Sequence, residues 1–301
     1  MSDVWSSTAV KLPLLMPKVE VPLPIDELHY LALRHDSADN FMETVILDGP
    51  SPLLSEMIKL NRILVLINEF NERCVKDRPD GLLLEHAIHG LSRRLDDWVA
   101  ELPDNMRDTD ENFAWYASRG LGRIFAAVYL GYYHFGQLLF YQFLHNGFDR
   151  SVPSANAYAE KCKGHAAHLC EMVYRSFSTP DCDVLYPMVA HVLTIASTVQ
   201  IHTLLFSGHE SQIRIARSRL ERNFELLLHL RQYWSTLDGV MVRLHAFHDM
   251  CQKSMDTSFV LDHWMLSFLV EFANTMDEQR AGDSRSPSAY WTLDGIRARN
   301  S

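Results

Sequence analysis

Residues 124–144 read Ile-Phe-Ala-Ala-Val-Tyr-Leu-Gly-Tyr-Tyr-His-Phe-Gly-Gln-Leu-Leu-Phe-Tyr-Gln-Phe-Leu. The stretch is uncharged, and at helical spacing it leaves no polar face. A helix that is apolar all round must be wrapped by other helices or by lipid. Its length suffices for a bilayer, where about twenty apolar residues are enough. Yet it carries His134, Gln137 and Gln142, and its aromatic residues run through the middle instead of gathering at the ends. Gly131 and Gly136 would let a neighbouring helix come close. The expectation is a buried central helix, with no membrane partner.

The segment before it supplies a helix of the opposite kind. Leu84, Ile88, Leu91, Leu95, Trp98 and Leu102 follow one another in steps of four and three, which draws a single apolar stripe down a helix. Pro103 ends it, because the residue before a proline is pushed out of the α region. Further upstream, Met57, Leu60, Leu64, Ile67 and Cys74 form another stripe, opened by Ser51-Pro52. Residues 103–112 read as an acidic, polar loop. After Asn146-Gly147, Tyr158, Cys162, Ala166, Leu169, Val173 and Phe177 give the next stripe. Val184 to Phe206 is apolar nearly all round, and Ile213, Ala216, Leu220, Phe224, Leu227 and Trp234 follow. Shorter helices are expected over 240–252 and 258–274.

Only residues 1–24, punctuated by Pro13, Pro17, Pro22 and Pro24, and the polar tail 276–301 fall outside this pattern. Residues 25–275 therefore read as one all-α domain, an irregular arrangement of about eight helices around two apolar core helices.

Composition narrows the function classes. The chain has 301 residues, 47% hydrophobic and 22% charged, which is ordinary for a soluble globular protein. Its 38 acids against 28 bases give a formal charge of −10. Such a surface repels phosphate backbones, whose attraction to Lys and Arg supplies most non-specific nucleic-acid affinity. Direct DNA binding is not expected. The five cysteines, Cys74, Cys162, Cys170, Cys182 and Cys251, are scattered and odd in number, which suits a reducing compartment better than a disulfide framework. No signal-peptide pattern opens the chain.

Taken in order, these pieces carry a resemblance. Val21-Pro22-Leu23-Pro24-Ile25-Asp26-Glu27 precedes the helix containing Met57-Ile58-Lys59-Leu60-Asn61-Arg62-Ile63-Leu64. Next come Leu-x3-Leu-x2-Trp-x3-Leu-Pro, a polar loop and the helix with Tyr132-Tyr133-His134. Cys162 to Ala167, Tyr186-Pro187 and the helix closing on Leu227 to Trp234 complete the order. Together, residues 18 to 275 resemble the regulatory middle homology region of fungal zinc-cluster transcription factors.

The resemblance implies a nuclear regulator of metabolic or secondary-metabolite genes, with the cytoplasm as alternative location. It implies action through a protein partner or a homologous transcription factor, biased by a small-molecule effector. Two departures matter. The family's six-cysteine DNA-reading cluster has no counterpart, since no Cys-x2-Cys occurs, and the Gly-Arg-Pro turn that usually precedes the domain is missing. The chain looks like the later part of such a regulator, without its DNA-binding head.

Several constellations compete with that reading. His86/His89, His165/His168 and His245/His248 are His-x2-His pairs, and Cys162 and Cys170 flank the second. Zinc needs about four converging ligands, whereas residues 162, 165 and 168 drift round a helix; no metal or other cofactor is expected. Asp96-Asp97-x3-Glu101 has the spacing of a magnesium motif in helical prenyl-diphosphate enzymes. The second metal motif of such enzymes is absent, and a solvated acidic helix end is the plainer reading. An all-α enzyme on a similar scaffold remains the alternative function, though no catalytic residue is assigned. Arg214, Arg217, Arg219 and Arg222 make a basic helix start. Finally, Tyr133, His134 and Gln137 on one core helix, and His191, Gln200 and His202 on the other, are polar groups in apolar surroundings. Hydrogen bonds between helices would satisfy them; a small-ligand pocket would use them too.

Overall fold

The structure is a computed structural model that describes residues 22–32, 53–76, 81–144, 152–234, 237–239, 242, 244 and 247. Among them are eight α-helices and no strand. In chain order these are α1 Glu27–Ala32, α2 Leu53–Lys76, α3 Gly81–Glu101, α4 Asp110–Ala117, α5 Gly122–Phe140, α6 Ala155–Phe177, α7 Pro187–Phe206 and α8 Glu210–Arg231. Short 3₁₀ turns, Asp104–Met106 and Tyr141–Leu144, follow α3 and α5. The all-α architecture expected from the periodicities is what the chain adopts. The proline segment up to residue 21, the helix expected at 258–274 and the polar tail lie outside the described residues. So does most of 240–252, apart from Val242, Leu244 and Phe247.

The two all-round apolar segments are the most enclosed. Nearly every residue of α7 from Val189 to Thr203 is buried, and α5 is buried from Val128 to Phe140 apart from Tyr132. By length and composition α7 could span a bilayer, and here it lies among other helices. Hydroxyls on such a helix need acceptors, and α7 finds them one turn back along itself. Thr194 donates to the Ala190 carbonyl at 2.7 Å, Ser197 to Leu193 at 2.8 Å and Thr203 to Val199 at 2.9 Å.

The largest packing surfaces are not between the two core helices. α5 packs chiefly on α6 and α2, and α7 on α8 and α6. Helix α6 is thus the wedge between them, and its stripe Tyr158, Cys162, Ala166, Leu169 and Val173 is buried as expected. Gly136 of α5 sets the closest approach, since a Cβ there would collide with the ring of His165 on α6. One fully buried polar side chain ties three helices. Asn223 of α8 donates to Ser197 Oγ of α7 at 3.0 Å and to Cys170 Sγ of α6 at 3.3 Å, while its Oδ1 accepts from the Tyr174 hydroxyl at 2.6 Å.

Two expectations require correction. The polar stretch 103–112 is not all loop. Thr109 caps α4 by accepting from the Asn112 N–H at 3.1 Å, and Asp110 and Glu111 occupy its first turn. Gly120, with φ of 73°, then turns the chain into α5, and the Leu121 N–H returns to the Tyr116 carbonyl at 2.9 Å. The other correction is at Trp234, which is not on the buried stripe of α8. The helix ends at Arg231, and the half-exposed indole donates to the Leu185 carbonyl at 2.6 Å.

The first described segment is held by capping. Glu27 accepts from the Leu53 and Leu54 N–H groups at 3.1 and 2.7 Å, so its carboxylate caps α2 from 26 residues away. Ser55 Oγ returns a bond to the Pro24 carbonyl at 3.0 Å. A carboxylate at the start of a helix meets unsatisfied N–H groups and the positive end of the dipole.

Candidate functional site

Successive side chains on a helix leave it about 100° apart. The run Tyr132-Tyr133-His134 of α5 therefore faces three neighbours, and the six polar candidates do not line one cavity. Five of them divide among three places, and Gln200 is buried on α7 apart from these.

His134 points at α7, its ring 5.8 Å from that of His191 and edge-on to it. Its Nδ1 lies 3.2 Å from Gln137 Nε2. Burial lowers its pKa to about 3, so the imidazole is neutral at physiological pH. With the Gln137 amide donating to Nδ1, the ring proton sits on Nε2. Gln137 Oε1 is fully buried and finds no partner among the described residues. Gln200 and His202 lie nine and eleven residues beyond His191, roughly 14 and 17 Å further along α7. They belong to other surroundings.

Tyr133 is buried in the core, and its hydroxyl points away from His134. Its hydroxyl donates to Asp108 Oδ2, and its ring stacks on His168 at 5.3 Å. Both partners, Asp108 and His168, line a cleft of about 590 Å³ between the start of α4, α6 and α8. Arg175 of α6 crosses it, donating to Asp108 Oδ1 and, at 2.8 Å, to Asp110 Oδ1, with its guanidinium over the Phe113 ring. Burial, the largest single effect, lowers the Arg175 pKa, and the hydrogen bonds and charges of the two carboxylates together outweigh it and raise it. On the far side, Arg222 lies over the Tyr174 ring at 4.0 Å, and Arg219 pairs with Glu171 at 3.2 Å. The charges of this cleft bind one another and hold the 103–109 segment against α6.

His202 lines a second cavity, about 230 Å³, between the 3₁₀ turn after α5, the first turns of α6 and the end of α7. Phe143, Leu144, Ala155 and Ala159 form its apolar part; Asn156, Glu160, Lys163, Thr203 and Ser207 are its polar groups. The His202 ring lies 4.9 Å from that of Phe206. Burial, and then the Lys163 charge, bring its pKa down to about 4, with the Leu144 carbonyl opposing. A third cavity, also about 230 Å³, is apolar and lies between α5 and α7 at Ala127, Leu130, Gly131, Tyr186, Met188 and Val192.

The remaining sequence candidates are dispersed. Asp96 accepts from Lys161 at 3.0 Å and from Ser92 at 3.4 Å, while Asp97 turns to Arg93 at 3.8 Å. The Asp-Asp-x3-Glu carboxylates therefore do not converge. Cys162 points at the Gln137 carbonyl at 3.6 Å, its thiol pKa raised by burial. His165 lies under the rings of Tyr132 and Phe140, burial lowering it to about 4. His168 is exposed, and Cys170 faces Asn223. Among the described residues no three His, Cys, Asp or Glu side chains gather as a metal site. Of the four arginines at the start of α8, Arg219 and Arg222 are engaged with α6 rather than forming a free patch.

Three contributors escaped the sequence reading: Asp108, Arg175 and Lys163. The first two are 67 residues apart, and nothing local marks them as partners. Lys163 had a signal, since Ala155, Ala159 and Lys163 recur at i, i+4 and i+8 on one face of α6.

Comparison with protein-family models, with curated proteins and with solved structures finds no match to this chain.

Proposed function

We propose that the chain is a transcriptional regulator or co-regulator, comparable to the effector half of a fungal zinc-cluster factor. It acts in the nucleus through a protein partner or a homologous full-length factor, and a small molecule in the helical domain biases that contact. Metabolic or secondary-metabolite genes are its targets.

What carries the reading is the mutual packing of the segments on which the resemblance rests. Trp98, from the Leu-x3-Leu-x2-Trp-x3-Leu-Pro run, stacks on Tyr132 at 5.3 Å and meets Tyr129 edge-on at 6.3 Å. Glu27, closing the Pro-Leu-Pro-acid run, caps the helix that follows it in the family order. The formal charge of −10 favours action through a partner over contact with phosphates.

The test is to tether the full chain to an unrelated DNA-binding module upstream of a reporter. A several-fold change in reporter output is expected. No change, with the fusion present in the nucleus at the same level as an active control, would overturn the reading. A DNA titration of the untethered chain at physiological salt is expected to show no sequence-selective binding.

A further inference from the structure

The cavity lined by His202 has an asymmetry that points to a ligand. Its charged pair, Lys163 and Glu160, is joined at 2.8 Å across one turn of α6. The two side chains are not equally placed: the Glu160 carboxylate is 63% exposed and the Lys163 side chain 28%. Both side chains line the cavity, and the base is the more enclosed of the two. An exposed pair of this spacing is weak, and another carboxylate can take the place of Glu160 without loss to the fold.

The remaining walls describe the body of the ligand. Phe143 and Phe206 are its aromatic lining residues, beside the small side chains of Ala155, Ala159 and Ser207. Aromatic side chains in the wall favour a ring as the body of the ligand. The wall also offers the neutral imidazole of His202 and the Thr203 hydroxyl, whose proton is already given to the Val199 carbonyl at 2.9 Å. At about 230 Å³ the space lies below the range of roughly 300–1,000 Å³ that holds drug-sized molecules. A single ring with one short acidic group fits it.

We propose that this cavity binds a small aromatic monocarboxylate, with its ring against Phe143 and Phe206 and its carboxylate on Lys163. The inference gives a chemical class to the effector and rests on the small-molecule part of the proposed function only. Binding is measured on the untethered chain and regulation on the tethered one, so either can fail while the other stands.

The experiment titrates benzoate, benzamide and benzylamine into the full chain and follows binding by calorimetry and by histidine ring NMR signals. Benzoate is expected to bind saturably, to move the His202 signals, and to bind at least about tenfold more tightly than the other two. Lys163→Met is expected to cost at least about tenfold in benzoate affinity. Ala159→Leu, which fills the space, is expected to abolish binding. Because Ala159→Leu could disturb packing, the decision rests on Lys163→Met, whose side chain is not part of the core. The proposal is overturned if benzoate gives no saturable signal at millimolar concentration. It is equally overturned if benzamide or benzylamine binds as well as benzoate, or if Lys163→Met binds it like the unaltered chain.

Discussion

Helix α6 borders two openings built from similar residues. In the cleft against α4 and α8, the Arg175 guanidinium meets Asp108 with both side chains largely covered, 23% and 19% exposed, and the Tyr133 hydroxyl holds the other oxygen of that carboxylate. In the cavity against α7, Lys163 meets only Glu160, and that acid is mostly in water. The difference between them is the surroundings of the acid rather than the chemistry of the base. A covered carboxylate with two donors is a structural joint, because removing either donor strands a charge. A wet carboxylate on a neighbouring turn is an exchangeable counter-ion. Size alone would have ranked the openings the other way, since the cleft is the larger.

The sharpest way to break this comparison is Arg175→Met. It leaves Asp108 partly buried with Tyr133 as its remaining donor, and releases Asp110. Removing one partner of a fully buried pair costs about 3–5 kcal/mol; with some water still reaching both side chains, a loss of about 2–4 kcal/mol is expected from chemical denaturation. A change below about 0.5 kcal/mol, the scale of ordinary surface substitutions, would mean that the cleft is no better tied than the cavity.

Tyr133→Phe should come next, destabilising by roughly 1–2 kcal/mol through loss of one hydrogen bond to a charged group. Combined with Arg175→Met it should be less than additive, because both changes act on the same carboxylate. Full additivity would place Tyr133 and Arg175 in separate interactions.

Acid separates the two openings by another route. His202 is held near pKa 4, below the ordinary value of 6.5, so the unfolded chain binds its proton first. Its contribution is fully present above pH 6.5, declines as pH falls, and is gone below about 4. Across that window the single ring contributes a slope of about 1 kcal/mol per pH unit. His134 and His165 add slopes of the same sign, with folded values near 3 and 4. His202→Leu should flatten the stability curve between pH 5 and 6 by that one-proton amount. An unchanged slope would place the ring in water rather than in the cavity wall.

Much of this arrangement was legible in the chain. Leu84, Ile88, Leu95, Trp98 and Leu102 are buried because their spacing leaves them no other face. The uncharged runs that became α5 and α7 had to be enclosed for the same reason. Thr109 and the acids after it could have revealed α4, and the polar composition of 103–112 concealed it. The joint between Asp108 and Arg175 was not legible, because it depends on how α4 and α6 meet and not on any local period. The six polar candidates were chosen correctly as buried groups. Which of them meet could not be read from the chain, because 100° per residue sends Tyr133 and His134 to different neighbours, and eleven residues of rise part His191 from His202.

The smallest expected effect is the one that sharpens the contrast most. Lys163→Met exchanges an ammonium for a thioether of similar length at the edge of the cavity. The lost pair with Glu160 is of the kind that contributes about 0–1 kcal/mol, and the methionine side chain can cover the apolar surface that the lysine stem covered. Stability at neutral pH should therefore shift by less than about 0.5 kcal/mol. The pH curve should move as well, but only slightly and in a known direction. Without the Lys163 charge the folded pKa of His202 rises towards its ordinary value, since that charge is the second contribution holding it down and burial is the first. The unfolded and folded forms then differ less in proton uptake, and the loss of stability on acidification becomes shallower. A large destabilisation of this variant at pH 7 would show that Lys163 is a joint like Arg175, and the distinction between the two openings would fall.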